Sequence, residues 1–123
     1  MEISELRPGM RSVDVMFKVI NKGETRSTWS GKNVADALVG DKTGCILMTL
    51  WEKQIDRVDV GKSYTLKEGF TNLFRGSLRL NIGRYGTIEE ASEEVGEVNE
   101  GNNLSEKEYP QERRGFGRRR RSY

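Results

Sequence analysis

The 123-residue sequence contains no histidine, one cysteine and two prolines. Without histidine, the commonest general base and the commonest metal ligand are both missing. The lone Cys45 permits neither an internal disulfide nor a thiolate cluster. Hydrolase triads and zinc sites are thereby nearly excluded. No apolar run approaches the roughly 18–20 residues of a membrane span, and the opening MEISELRPGM lacks a basic-then-apolar signal pattern. The sequence therefore reads as a cytoplasmic protein without membrane contact. The carboxylate pairs Asp56/Asp59 and Glu89/Glu90 have no further ligands near them in the chain and read as solvated charge. Gly83-Arg84-Tyr85-Gly86 is glycine-rich but opens no helix, so it is not a phosphate-cradling loop. No catalytic constellation, metal site or cofactor is expected.

What is present is charge, unevenly spread. Residues 1–91 carry 14 Lys/Arg and 12 Asp/Glu, residues 92–112 one base and seven acids, and residues 113–123 six arginines and no acid. Both C-terminal blocks are too polar to supply a core. The expected organisation is one domain at 1–91 followed by a disordered tail at 92–123, acidic over 92–112 and Arg/Gly-rich over 113–123. If the acidic tract competes with a polyanion for the basic surfaces, removing 92–123 should change affinity little while altering its salt dependence.

Hydrophobic residues before position 91 mostly alternate with period two. Val13, Val15, Phe17 and Val19 mark a first strand, with Asp14 and Lys18 on the opposite face; Ala35, Ala37 and Val39 mark a second, and Ile46, Met48 and Leu50 a third. Tyr64 to Leu66 begin a fourth, and Leu78, Leu80 and Ile82 mark a fifth. Asp41-Lys42-Thr43-Gly44 reads as a tight turn, with the aspartate accepting backbone N–H bonds and Gly44 free to take a positive φ. Residues 52–61 leave room for a turn or two of helix between strands three and four. The fold class is all-β: five short strands with one extra element there is the layout of an OB-fold, a five-stranded Greek-key barrel.

Trp51 has the opposite parity to Ile46, Met48 and Leu50, so it points away from the core, either under a loop or outward as a stacking platform. Strict alternation places Phe70 with Leu66 in the core, whereas a bulge near Gly69 would turn it outward. Phe74 stands in loop-like surroundings. Basic residues interleave with these rings: Lys53, Lys67, Arg75, Arg79 and Arg84, with Arg26 and Lys32 flanking the loop that holds Trp29. Trp29 suits a lid contact or a base contact equally. Cations along a phosphate backbone, beside aromatics that stack bases, are what single-strand binding requires. The tail from Arg113 to Tyr123 adds arginine, glycine and two aromatics in the same style.

The succession Leu6-Arg7-Pro8-Gly9-Met10, Val39-Gly40-Asp41-Lys42-Thr43-Gly44, Leu50-Trp51, Phe70 to Gly76 and Leu80-Asn81-Ile82-Gly83-Arg84 resembles the simple single-stranded DNA-binding proteins of archaea and their eukaryotic relatives. The resemblance covers roughly residues 3–91. It implies one OB-fold with a flexible tail, no cofactor, and binding of single-stranded DNA in replication, repair and recombination. Three stacking aromatics match Trp51, Phe70 and Phe74, which favours the outward Phe70. Asn81 stands where eukaryotic members carry a fourth aromatic. With Lys32, Arg75, Arg79 and Arg84 on phosphates and Trp29 nearby, the binding set is complete. The resemblance further implies a monomer, a nucleoid-associated location in an archaeal cytoplasm, and replication or repair proteins as partners through the tail. In archaeal members an acidic tip recruits such partners. Here the acidic tract comes first and the chain ends in arginines, so the tail is expected to add to DNA binding. The alternatives are an RNA-binding OB module and a protein-interaction adaptor.

Overall fold

The computed structural model describes residues 1–83 and 85–106. Arg84 and the Arg/Gly-rich segment 113–123, with 107–112 before it, lie outside the described residues. The alternating segments become β1 (Val13–Lys22), β3 (Asn33–Asp41), β4 (Gly44–Trp51), β5 (Ser63–Phe74) and β6 (Ser77–Asn81). Two short strands, β2 (Arg26–Ser27) and β7 (Thr87–Glu90), flank β3 and β5, and one helical turn, α1 (Gln54–Arg57), follows β4. β1 pairs with β3, β3 with β4, β4 with β6, β6 with β5, and β5 returns to β1. The ring is antiparallel except for β4–β6, and its order is that of the five-stranded OB barrel.

The inward residues are the period-two sets of the sequence: Val13, Val15, Phe17 and Val19, then Ala35, Ala37 and Val39, then Ile46, Met48 and Leu50, all buried. The ends of the barrel are plugged by short elements. At one end Ile3 and Leu6 are fully buried, and the Ile3 and Ser4 amides donate to Asp41 Oδ2 and Thr43 Oγ1. α1 contributes Ile55, followed by Val58, while Lys22 Nζ donates to the carbonyls of both. A cation suits carbonyls left over at a helix end.

β5 changes phase partway along. Tyr64 and Leu66 face inward, and so do Gly69 and Thr71. Lys67 and Glu68 together oppose the single residue Asp14, because Leu66 pairs with Val15 and Gly69 with Val13. This is a β-bulge. Glu68 takes a positive φ of 58°, and its amide donates to Asp14 Oδ1 at 3.0 Å. Only glycine fits at 69: a Cβ there would stand 2.6 Å from Leu66 Cδ2 and 2.8 Å from the Asn81 carbonyl oxygen. Beyond the bulge, Phe70, Asn72 and Phe74 lie on the outer face.

The acidic tract departs from the expected mobile tail. Residues 92–106 run back across the barrel as a strap, so the packed unit extends past residue 91. The Val95 amide donates to Ser63 Oγ, the Asn99 amide to the Asp41 carbonyl, and the Cys45 amide to the Asn102 carbonyl. Leu104 is buried in the core. Ser105 sits where the β4–β6 ladder runs out: its Oγ accepts from the Leu47 amide at 2.8 Å and donates to the Leu78 carbonyl, while Ser77 Oγ donates to its carbonyl at 2.6 Å. Acid content hid Val95, Val98 and Leu104, and the asparagines and serine that satisfy the strap's contacts. Gly44 does not take a positive φ; its φ lies in the ordinary range. It is glycine because a Cβ would meet the Asn102 carbonyl oxygen at 2.8 Å. The aspartate half of that turn is as expected, with Asp41 Oδ1 accepting from the Thr43 amide at 2.8 Å.

The strap covers Cys45. Burial raises the thiol pKa above its ordinary value, and the carboxylates of Glu100 and Glu106 raise it further. The folded protein therefore holds this proton longer than the unfolded chain does. The associated stability is complete below the unfolded thiol value, about 8.5, and is lost as pH rises through the folded one. Thiol labelling at about pH 8 should thus be slow in the native protein and reach the denatured rate once the strap is deleted. Equal rates with and without the strap would show that it does not cover the cysteine in solution.

Candidate nucleic-acid interface

On the outer face of the sheet, register sets side chains from four strands next to one another. Val34 of β3 pairs with Trp51 of β4, and Asp36 with Thr49. Thr49 pairs in turn with Asn81 of β6, which pairs with Phe70 of β5, while Arg79 pairs with Asn72. Of these residues, Val34, Thr49, Trp51, Asn72, Arg79 and Asn81 line a groove of about 230 Å3, together with Phe74, Arg26 of β2 and Thr28 just after it.

Two rings dominate it. Trp51 is 41% exposed and Phe74 49% exposed. Trp51 is the last residue of β4, and its position is fixed from both sides. Its amide donates to Gln54 Oε1 at 2.9 Å, and the Glu52 amide donates to the Asn33 carbonyl at 2.9 Å as the chain turns away at φ 50°. Phe74 closes β5 just before Arg75-Gly76, whose φ values of 53° and 82° make a two-residue hairpin turn. The guanidinium carbons of Arg75 and Arg79 each lie 5.3 Å from the Phe74 ring centroid, within cation–π range.

The floor of the groove is an ion-pair network that pattern reading did not find. Asp36 accepts from Arg79 at 3.1 Å and Arg26 at 3.5 Å through Oδ2, and from Thr49 Oγ1 at 3.3 Å through Oδ1. Arg79 Nε also donates to Ser77 Oγ at 3.2 Å, and Asn81 Nδ2 donates to Asn72 Oδ1 at 3.0 Å. Arg79, expected as a free phosphate contact, is half-buried, paired, and laid against Phe74. It orients the ring and leaves Arg75, exposed at the hairpin tip, as the open cation beside it. The available signal was parity: Asp36 is the acid on the polar phase of its strand, directly across from Thr49.

The other expected residues are more scattered. Phe70 shares the outer face of β5 with Phe74 but lines an adjoining concavity. Trp29 and Lys32 occupy the loop between β2 and β3, held by a Thr28–Lys32 turn in which the Thr28 amide donates to the Lys32 carbonyl at 2.8 Å. Trp29 is 100% exposed, so it is not a buried lid contact, and it does not line the groove. Arg84 is outside the described residues.

An open sheet face with half-exposed rings, and guanidiniums against one of them, is a platform for planar groups on a charged chain. The profile of the family described as "Single-stranded DNA binding protein Ssb-like, OB fold" matches residues 6–90. The chain belongs to this Ssb-like family. The family is one of binding proteins. The single-stranded DNA binding protein Ssb of the archaeon Saccharolobus solfataricus is 34% identical over 96 residues, a match covering 76% of this chain and 65% of that protein's length. An uncharacterised protein of Arabidopsis thaliana is 31% identical over 121 residues, covering 88% of this chain and 79% of its own. Among solved structures, a hypothetical Arabidopsis thaliana protein has a TM-score of 0.77 at 30% identity, covering 89% of this chain and 84% of that one. A replication protein A heterotrimer bound to single-stranded DNA has a TM-score of 0.66 at 18% identity over 80% of this chain and 27% of that one, a likeness of fold. The Ssb-like match ends before the strap, which is therefore outside the span it defines.

Proposed function

We infer that the protein binds single-stranded DNA with little regard to sequence. The observation that carries this is the placement of Trp51 and Phe74 at the rims of one groove, half-exposed on the outer sheet face of an Ssb-like barrel. Every base has a π-face, so rings held this way accept any base. Phe70, turned outward by the bulge, supplies a third platform, and Arg75 and Lys32 supply exposed charge for phosphates. Arg79 and Asp36 act beneath them by fixing Phe74. Coating exposed strands in replication, repair and recombination is the role this mechanism fits, with the arginine-rich tail adding charge. The proposal is noncatalytic, for a monomer in an archaeal cytoplasm.

Competition tests it. A labelled DNA strand of about 20 nucleotides, longer than the ~4–16 that one OB-fold covers, should be displaced by unlabelled single strand. Matched duplex, whose bases are already stacked, should displace it at least about tenfold less well. RNA of the same sequence competing better than DNA would assign the groove to RNA. Duplex competing as well as single strand would rule out stacking, and no binding of either would favour a protein-interaction adaptor.

A further inference from the structure

We propose that the DNA path continues past Phe70 into the adjoining concavity, where Tyr85 stacks an additional base and Arg11 meets its phosphate. The proposal rests on the single-strand binding inferred above and extends it to a part of the surface outside the Trp51–Phe74 groove.

The concavity measures about 530 Å3, more than twice the groove's 230 Å3, and falls in the size range of small-molecule sites. The two are neighbours. Phe70 lines the concavity, while its cross-strand partner Asn81 lines the groove, so Phe70 stands on the ridge between them. Residues 70, 72 and 74 share one face of β5, spaced about 7 Å apart, which makes a straight row of positions from Phe74 across the ridge. The Phe70 ring lies directly over Gly83: a Cβ there would stand 2.9 Å from Phe70 Cδ1, and the φ of 81° also favours glycine. The ring is thus laid against bare backbone instead of being covered by a side chain.

On the far side stands Tyr85, 78% exposed and contributing nothing to the core. Across from it runs Gly9–Ser12. Gly9 presents open backbone, with nothing within 4 Å of where a Cβ would be, and Arg11 is an exposed cation on the same wall. Gly9, Ser12, Glu68 and Gly83 all border the concavity with positive φ. That conformation is costly for serine and glutamate, and such positions gather at ligand sites. Glu68 is the one acid among the residues that line the concavity, so a phosphate belongs beside Arg11. An exposed ring, a cation and bare backbone around a nucleotide-sized hollow, next to a stacking phenylalanine, form a second station for the same strand.

The test uses oligothymidylates of increasing length, from about 3 to about 12 nucleotides, with wild-type protein and with Tyr85→Ala, Tyr85→Phe, Arg11→Gln and Trp51→Ala. Tyr85→Ala should weaken the longer strands about tenfold, leave the shortest unchanged and shorten the occluded site; Tyr85→Phe should bind as wild type. Arg11→Gln should lower the salt slope by about 0.7 for the longer strands only. Tyr85 is so exposed that its loss should leave the melting temperature unchanged. If Tyr85→Ala binds every length as wild type while Trp51→Ala weakens all of them, the second station is overturned and the groove stands. If wild type binds none of them, the underlying function falls with it.

Discussion

A chain ended after residue 91 should melt at least about 8 °C below a chain ended after residue 106. The cut at 91 removes Leu104 from the core, where burial leaves it 2% exposed, and losing a buried leucine costs roughly 2–5 kcal/mol. It also removes Ser105, whose hydroxyl serves the Leu47 amide and Leu78 carbonyl at the edge of the parallel β4–β6 ladder. Each such group left without a partner costs about 1–3 kcal/mol unless water reaches it. The entropy regained by freeing the strap offsets part of this. A net loss of about 2–4 kcal/mol remains, and each kcal/mol lowers the melting temperature of a domain this size by roughly 4–8 °C. Leu104→Ala in the full chain should reproduce much of the effect. Equal melting curves for the two truncations would show that the strap adds nothing to the barrel. The expectation that removing 92–123 leaves affinity nearly untouched must therefore be moved: the cut that isolates the basic tail falls after 106, and only that shorter deletion reports on salt dependence without disturbing the fold.

Trp51→Ala should weaken single-strand binding by about 5- to 150-fold, the equivalent of the roughly 1–3 kcal/mol that one base–aromatic stack supplies. Phe74→Ala should fall in the same range. Neither should lower the melting temperature much, since both rings are about half exposed. Trp29→Ala separates stacking in the groove from a general aromatic effect. Trp29 is fully exposed and does not line the groove, although its neighbour Thr28 does, so its loss should matter less than that of Trp51. Isothermal titration of the three variants against one oligonucleotide checks the ranking. A larger effect at Trp29 than at Trp51 would relocate the site to the β2–β3 loop.

Much of this was legible in the chain, for physical reasons that differ by element. β1, β3 and β4 were readable because one face is buried and the other wet, which imposes period two on Val13 to Val19 and on Ala35 to Leu50. The outward parity of Trp51 followed from the same rule. Phe70 was undecided because alternation breaks silently at a bulge. Gly69 marked its neighbourhood, but only the register against β1 places the extra residue at Lys67–Glu68. The Asp36–Arg79 pair was out of reach, since it joins residues 43 positions apart through strand order rather than spacing. The strap was hidden for a different reason. Composition averages over a window, and a segment can be strongly acidic overall while one leucine and one serine fill a gap between strands.

The most direct test of the central claim takes a Trp29→Phe protein, in which Trp51 is the sole tryptophan, and titrates it with single-stranded DNA at two salt concentrations. Stacking on Trp51 within a charged groove predicts strong, saturable quenching, with affinity falling as salt rises at a slope of about −0.7 per phosphate neutralised. Saturable binding that leaves Trp51 fluorescence unchanged would contradict it.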